Sequence, residues 1–256
     1  MPTKSNKTKY PSEVIDLPSE GKLYSKDSPL ASGNIDIKFM TAKEEDILTS
    51  QNLIKKGVVM DKLLDSLILT EGVTSNDLIL GDKNAIMVAS RILAYGPEYT
   101  AEITDPSTDE KLSHTFNLSE CDYKKLPDDI SYDGNNEFEV ELPVSKDKLK
   151  FKLLTGHDEK KISSIIAANK KMRSNVSPEI TARLKTAIIS INGDDSMGVI
   201  NSYVDNMLSR DSLFLRQEIQ RITPDIELSQ TIDLGGEMVQ VDIPLTIEFF
   251  WPNIKT

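Results

Sequence analysis

The sequence predicts an α+β protein built from two related units, each with a short strand, a cluster of helices and a β-hairpin. Three observations lead to this prediction. Ile35, Ile37 and Phe39 alternate with polar residues, which is typical of a short strand with one apolar face. The segment TAKE at residues 41–44 follows directly and has the capping-box pattern of a helix start. The same order of patterns then returns in the second half of the chain.

The first unit is expected to cover residues 15–125, after a flexible polar tail at residues 1–14. Gly57 suits the end of its first helix, because glycine adopts a left-handed backbone conformation without a Cβ clash. The predicted helices lie at about residues 41–56, 61–69 and 82–96. The β-like sequence at residues 99–105 then begins the hairpin.

The second unit is expected to cover residues 138–256. Residues 149–153 alternate as residues 35–39 do, and Thr155 to Glu159 match Thr41 to Glu45 at one constant offset. Helices are predicted at about residues 155–171, 177–190 and 197–221, the last with a break near Asp211. Residues 126–137 are rich in Pro, Gly, Asp and Asn and are predicted to be a linker. A duplicated unit explains the repeat, and chance similarity between two strand-to-helix junctions is the alternative.

Composition excludes several classes of function. A net charge of −11 repels phosphate backbones, so the sequence predicts no nucleic-acid partner. No apolar run approaches the roughly 18 residues that span a bilayer, and the N-terminus lacks the apolar stretch of a signal peptide. We therefore expect no membrane partner. The single cysteine, Cys121, cannot form an internal disulfide and fits a reducing compartment.

The sequence contains none of the catalytic and nucleotide-binding motifs GxGxxG, GxxxxGK[ST], HExxH and GxSxG. His114 and His157 have no Cys or His neighbour at metal-ligand spacing, and Cys121 is interpreted as an idle thiol rather than a nucleophile. The acidic clusters at residues 44–46, 128–129 and 194–195 fit helix capping and turns. A weak cation site on one of these surfaces stays open as an alternative.

The C-terminal segment carries an unusual run of aromatic residues. Ile243, Leu245, Ile247 and Phe249 alternate with other residues and predict a closing strand, in which Phe249 and Trp251 share one face and Phe250 lies on the other. We expect Phe249 to pack in the core. Because something must cover the second face, Phe250 and Trp251 are predicted, with Phe249, to take part in binding a partner protein. The alternative is that the aromatic residues fill the core and that this chain's own helices cover the second face.

Five blocks of sequence carry a resemblance to a known family. In order along the chain they are LPSEGKLY at 17–24, MTAKEEDILTS at 40–50, LLTGHDE at 153–159, ITPDI at 222–226 and PLTIEFFWP at 244–252. In this combination the chain resembles the baseplate hub and hub-assembly proteins of T-even-like contractile bacteriophages. The resemblance implies a non-enzymatic protein with other hub and tail-tube proteins as partners. It would act in the host cytoplasm during assembly, and in the virion baseplate if it stays in the finished particle.

The chain departs from the family pattern in one feature, its lack of paired cysteines. Relatives carry pairs of cysteines in ribbon hairpins at the places that correspond here to Asp105, Thr108, Asp233 and Gly236, where thiolates could hold structural zinc. None of these four residues is a cysteine, and glycine has no side chain to offer. We therefore expect degenerate zinc-ribbon-like hairpins without a metal, and no cofactor elsewhere.

Three functions remain after these considerations. The first is a structural component of the baseplate hub, with a homo-oligomer left open. The second is an assembly chaperone that is absent from the finished particle. The third, from another class, is a tail-associated glycan hydrolase, which would need one carboxylic acid in an apolar setting and a second carboxylate facing it. The acids of this chain cluster in predicted loops and helix starts, so the sequence favours the first function.

Overall fold

The computed structural model describes residues 10–104, 111–124, 126–132, 134–171, 177–234, 236–245 and 247–250. These residues form helices and small antiparallel sheets, as expected for the α+β class. None of the helices within these ranges is long and apolar enough to cross a membrane.

The first half of the chain begins and ends with an antiparallel hairpin, with helices between. Its elements are β1 (Ser12–Asp16), β2 (Asn34–Lys38), α1 (Ala42–Thr49), α2 (Gln51–Lys55), α3 (Val59–Leu67), α4 (Leu80–Tyr95), β3 (Glu98–Thr104) and β4 (Lys111–Asn117), with short 3₁₀ helices at Pro29–Ser32 and Leu118–Glu120. Residues 12–14, assigned to the flexible tail from sequence, belong to β1, where they pair with β2.

The second half repeats this order with one added strand. Its elements are β5 (Phe138–Glu141), β6 (Lys148–Phe151), α5 (Gly156–Lys171), α6 (Glu179–Ala187), β7 (Ile188–Ile191), α7 (Met197–Asp205), α8 (Ser209–Ile222), β8 (Ser229–Leu234) and β9 (Glu237–Asp242), with a 3₁₀ helix at Ile247–Phe250. The predicted helix at 177–190 is therefore too long, because its last residues form β7 on the edge of β6. The predicted helix at 197–221 is two helices, separated just before Asp211.

The start of the first helix is built in the same way in both halves. Thr41 caps α1, and its backbone N–H donates to the Glu44 carboxylate at 2.9 Å. In the second half the backbone N–H of Thr155 donates to Asp158 at 3.1 Å. A lysine completes each group, with Lys38 Nζ, at the end of β2, 2.7 Å from Glu44 and Lys152 Nζ, directly after β6, 2.8 Å from Asp158. The matched residues lie at one constant offset, which agrees with the sequence repeat.

A second repeated contact joins the loop of the first hairpin to the last long helix of each half. The backbone N–H of Ser19 donates to Oδ1 of Asp82 at 2.9 Å, and that of Val144 donates to Oδ1 of Asp211 at 2.9 Å. Each donor follows a Leu-Pro pair, and each aspartate is the third residue of its helix and almost fully buried. The repeated order of elements and contacts supports duplication, which stays a prediction about the origin of the chain.

Both hydrophobic cores contain residues from both halves. The first core packs the first hairpin of each half, and its largest members include Leu17, Leu30, Ile37, Phe138, Phe151 and Leu215. The second core packs the last hairpin of each half together with the C-terminal segment, and its members include Leu63, Phe116, Ile232, Phe249 and Phe250. The apolar interior is therefore not divided at the predicted boundary. The domain limits taken from the sequence stay predictions.

The predicted linker is packed against the rest of the protein. Tyr132 Oη donates to the carbonyl oxygen of Ile222 at 3.1 Å, and Asp129 forms an ion pair with Arg221 at 2.8 Å. Ile130 and Tyr132 also contact the first core. This segment therefore fixes the position of the α8 C-terminus in addition to connecting the two halves.

Two short stretches of backbone pairing join the halves. At the first, the Leu80 N–H donates to Leu154 at 3.4 Å and the Gly156 N–H donates to Leu78 at 3.0 Å. At the second, residues 122–124 pair with residues 225–227 through bonds of 2.7 and 2.8 Å. Backbone pairing fixes relative position more strictly than apolar contact, because its geometry is directional. We call the first stretch the seam.

Glycine permits the close approach of chains beside both stretches. An ideal Cβ at Gly81 would lie 1.7 Å from the carbonyl oxygen of Pro224, and one at Gly156 would lie 2.6 Å from the Cα of Asn76. Neither distance is compatible with a side chain. By contrast, a Cβ at Gly198, the second residue of α7, would meet nothing within 4 Å.

We predict that Gly81→Ala destabilises the protein by about 1–3 kcal/mol or more, because backbone atoms on both sides of the contact must move apart. Gly198→Ala is the matched control, since it makes the same change at the same position of a helix. It should leave stability unchanged or raise it by up to about 1 kcal/mol. Urea denaturation of both variants measures the difference, and equal midpoints would show that the contact between Gly81 and Pro224 tolerates a methyl group.

Candidate functional site

The C-terminal aromatic residues do not lie on a strand. Ile247–Phe250 forms a 3₁₀ helix, so the prediction of a closing strand is wrong. Phe249 and Phe250 are 0% and 1% exposed, and both belong to the second core. The ring of Phe249 lies 4.9 Å from that of Tyr99 and 5.3 Å from that of Phe250. Trp251 lies outside the described residues.

The helical turn explains this burial. Successive side chains of a 3₁₀ helix are about a third of a turn apart, whereas those of a strand point to opposite faces. Two neighbouring aromatic residues can therefore enter one core. The uncovered strand face, which was the reason for expecting a partner at Phe250, is absent from the structure. Partner binding by Phe249, Phe250 or Trp251 stays a prediction.

Arg91 holds the C-terminal segment in place and was not found from the sequence. Its side chain is nearly buried, and it donates to three carbonyl oxygens, those of Phe249 at 2.9 Å, Gly96 at 3.2 Å and Glu98 at 3.2 Å. The guanidinium also lies 5.0 Å from the ring of Tyr95. Burial lowers the pKa of Arg91. The five donors of a guanidinium suit such a junction, where α4, β3 and the C-terminus meet.

The predicted zinc-ribbon positions are only partly within the described residues. Asp105 and Thr108 lie outside them. Asp233 is exposed at the end of β8, and its carboxylate accepts a bond of 2.6 Å from the Gly236 N–H. Gly236 has φ +97°, a conformation that glycine adopts easily. In the described part of the chain, no three His, Cys, Asp or Glu side chains are close enough together to hold a metal ion.

Asp82 is the carboxyl group that most resembles a catalytic acid, but the protein encloses it. Burial raises the pKa of Asp82, and the side chain is 0% exposed. Its oxygens accept from the backbone N–H and hydroxyl of Ser19 and from the hydroxyl of Tyr24, the last two at 2.6 Å. A substrate cannot reach a carboxyl group in this position. The arrangement fixes the loop of the first hairpin on α4.

The other candidate residues have structural contacts. In the acidic cluster at residues 44–46, the Glu44 carboxylate accepts hydrogen bonds from Lys38, Thr41 and Ser66. These bonds give Glu44 a structural role. His157 Nε2 lies 3.1 Å from Asp77 on the surface, and the ring of His114 packs edge-on against Phe116 at 4.8 Å. Cys121 is half-buried, and burial raises the pKa of its thiol. A thiol with a raised pKa is a poor nucleophile.

Comparison with known proteins identifies the family. A family model described as T4 bacteriophage base plate protein matches residues 10–171, which is more than half of the chain. The chain belongs to this family. No curated protein and no solved structure gives a significant match. The matched range runs from the start of the described residues to the end of α5. This baseplate protein therefore has a structural or assembly role, with other phage tail proteins as partners.

We predict that Phe249→Ala and Phe250→Ala each destabilise this baseplate protein by about 3–5 kcal/mol, because both remove a fully buried ring. Met238→Ala is the control, since Met238 is 67% exposed and its truncation should cost less than about 0.5 kcal/mol. Thermal and urea unfolding measure these effects. A folded Phe250→Ala variant with unchanged stability would restore the interpretation that its ring faces a partner.

We also predict that Glu44 makes the protein acid-sensitive. Burial opposes its charge, but the hydrogen bonds from Lys38, Ser66 and Thr41 outweigh this effect and lower the pKa of Glu44 from 4.5 to about 2. A depressed carboxyl pKa stabilises the folded state above the unfolded value, and this stability is lost as pH falls from about 4.5 to 2.

Glu44→Gln removes this titration and should flatten the dependence of the unfolding free energy on pH between these values. Asp46→Asn is the control, because Asp46 is an exposed acid on the same helix. Its variant should keep the pH dependence of the unsubstituted protein. Urea unfolding at a series of pH values tests both expectations, and an equal slope in the Glu44 variant contradicts the assignment.

Proposed function

We propose that the protein is a structural or assembly component of the baseplate hub and acts through protein–protein contacts without catalysing a reaction. The family match supports a baseplate role. The five sequence blocks that resemble hub and hub-assembly proteins support the finer assignment, because the last two lie beyond the matched range.

The position of these blocks in the fold is the observation that carries the proposal. The first block supplies Ser19 and Tyr24 to Asp82, and the second supplies the Thr41 cap and Glu44. The remaining blocks contribute to the contacts between the halves, namely Gly156 at the seam, Pro224 and Asp225 beside Gly81, and the buried Phe249 and Phe250. Residues of this kind preserve one rigid shape, which is what a component of an assembled particle requires.

The glycan hydrolase alternative finds little support in the described residues. Such an enzyme needs a protonated acid and a second carboxylate on opposite sides of an accessible cleft. Asp82 has the raised pKa but is enclosed, and Glu44 has its pKa lowered by Lys38 and its other partners. The assembly chaperone remains the second candidate, because the same rigid surface could serve a complex that forms and later releases the protein.

We predict that a tagged copy of the protein, expressed in infected cells, recovers other hub proteins and that purified virions contain the chain. Affinity purification and mass spectrometry of the two samples provide the measurement. Recovery from cells but absence from virions would select the assembly chaperone. Hydrolysis of cell-wall glycan by the purified protein, lost on removal of a carboxylate, would overturn the non-enzymatic proposal. Absence of all tail proteins from both samples would overturn the hub assignment.

A further inference from the structure

The start of α8 has the same local structure as the start of α4 but lacks its covering. Ile79, directly before α4, and Leu208, directly before α8, both have extended backbone, and each lies three positions before the buried aspartate of its helix. Ile79 is 1% exposed at the seam, whereas Leu208 is 52% exposed. The backbone of residues 78–80 bonds across the seam, but within the described part of the chain that of residues 207–209 forms no hydrogen bond with a distant segment of backbone.

The start of α1 differs from the start of α5 in the same way. Gly156 is the first residue of α5 and is buried at the seam, where its N–H donates to Leu78. Ala42 is the first residue of α1, and it is exposed. Among the described residues, no backbone oxygen accepts from the N–H of Ala42. The chain therefore carries, outside the seam, a second version of each of the two surfaces that form the seam.

Two such surfaces on one chain would permit open-ended association. If the start of α1 in one copy paired with the start of α8 in the next, as the two halves pair at the seam, each copy would still present one free surface of each kind. A contact between two different surfaces forms a ring when the rotation closes, and a filament when it does not. The unpaired backbone groups and the exposed side chain of Leu208 favour such pairing.

Two side chains stand where this contact requires glycine. An ideal Cβ would lie 1.7 Å from a backbone oxygen at Gly81 and 2.6 Å from a backbone carbon at Gly156. Gly81 is the second residue of α4, and the second residue of α8 is Arg210. Ala42 likewise stands at the position of Gly156. Both replacements place a Cβ where backbone would have to approach, and arginine adds a long charged side chain.

We propose that Ala42 and Arg210 prevent copies of this chain from joining head to tail through a second seam. The free backbone groups match those that pair at the seam, so the missing glycines distinguish the contact that forms from the one that does not. The chain thus ends its own repeat after two units, in the way that modified terminal units end a repeat array. This property does not depend on which tail proteins the chain binds.

Analytical ultracentrifugation of the purified full chain tests the proposal. The mean mass of the unsubstituted protein should not grow with concentration. The mean mass of the Ala42→Gly/Arg210→Gly variant should increase with concentration by about twofold or more, because both positions now admit the neighbouring backbone. Ala42→Gly/Arg210→Ala is the matched control, since it removes the same charge but keeps the Cβ. Its mean mass should stay that of the unsubstituted protein.

A further substitution shows whether the association uses the second seam. Leu208→Asp, added to the double glycine variant, should return the mean mass to that of the unsubstituted protein. The reason is that the aspartate would be buried where Ile79 lies in the seam, without a partner for its charge. Leu208 is exposed in the single chain, so Leu208→Asp alone should leave the melting temperature nearly unchanged.

Gly156→Ala gives an independent measurement that requires no new association. A methyl group at this position should lower the urea midpoint of the single chain, because the backbone at Asn76 must move away. Ala42→Gly makes the reverse change at the exposed equivalent position and tests whether the variant chain still folds. An unchanged midpoint for Gly156→Ala would show that the seam admits a methyl group and would overturn the inference.

Three results in the centrifuge also overturn it. A folded double glycine variant whose mass does not grow, or whose growth survives Leu208→Asp, would show that the two side chains do not block a second seam. Equal growth in the Arg210→Ala control would assign the effect to the lost charge. Growth of the unsubstituted protein that Leu208→Asp abolishes would show that the second seam forms despite both side chains. Affinity purification of tail proteins is scored separately, so failure of the hub proposal gives a different result.

Discussion

The buried carboxyl group of Asp82 organises the contacts on which the rest of the structure depends. A buried carboxyl group is costly unless hydrogen bonds compensate, and here Ser19 and Tyr24 supply these bonds. The Tyr24 hydroxyl also accepts from the backbone N–H of Ile79 at 3.0 Å. Ile79 directly precedes Leu80, whose N–H pairs with the second half. One polar cluster therefore connects the loop of the first hairpin, the start of α4 and the seam.

In the second half a buried aspartate, Asp211, makes the equivalent contact, with hydrogen bonds from backbone groups. Asp211 accepts from the backbone N–H groups of Val144 and Ser145 at 2.9 and 3.0 Å, and these bonds lower its pKa although burial opposes them. Burial instead raises the pKa of Asp82, whose compensating bonds come mainly from hydroxyl groups. Equivalent positions thus hold carboxyl groups with opposite pKa shifts, and the tertiary setting decides the direction.

The structure suits a protein whose work is to hold one shape. The enclosed Asp82, the buried Arg91 and the close contact at Gly81 each fix elements that are distant in sequence.

Local patterns in the sequence were sufficient for part of this fold. The alternation at Ile35 and Ile37 predicts β2, and the TAKE segment predicts the capped start of α1, because both depend on neighbouring residues alone. The match between Thr41 and Thr155 likewise predicts that the two helix starts are alike. The family resemblance was also readable, since it depends on blocks of residues and not on their arrangement in space.

Other features depended on residues far apart in the chain. The alternation from Ile243 to Phe249 indicated a strand, but the core has room for both rings of a 3₁₀ turn, and Arg91 fixes that turn from 158 positions earlier. The predicted helix at 177–190 ends early because β7 can pair with β6. The sequence by itself therefore determined the composition class, the starts of α1 and α5, and the family. Only the tertiary structure decided that the halves share both cores, because burial and pairing are set by which distant segments meet.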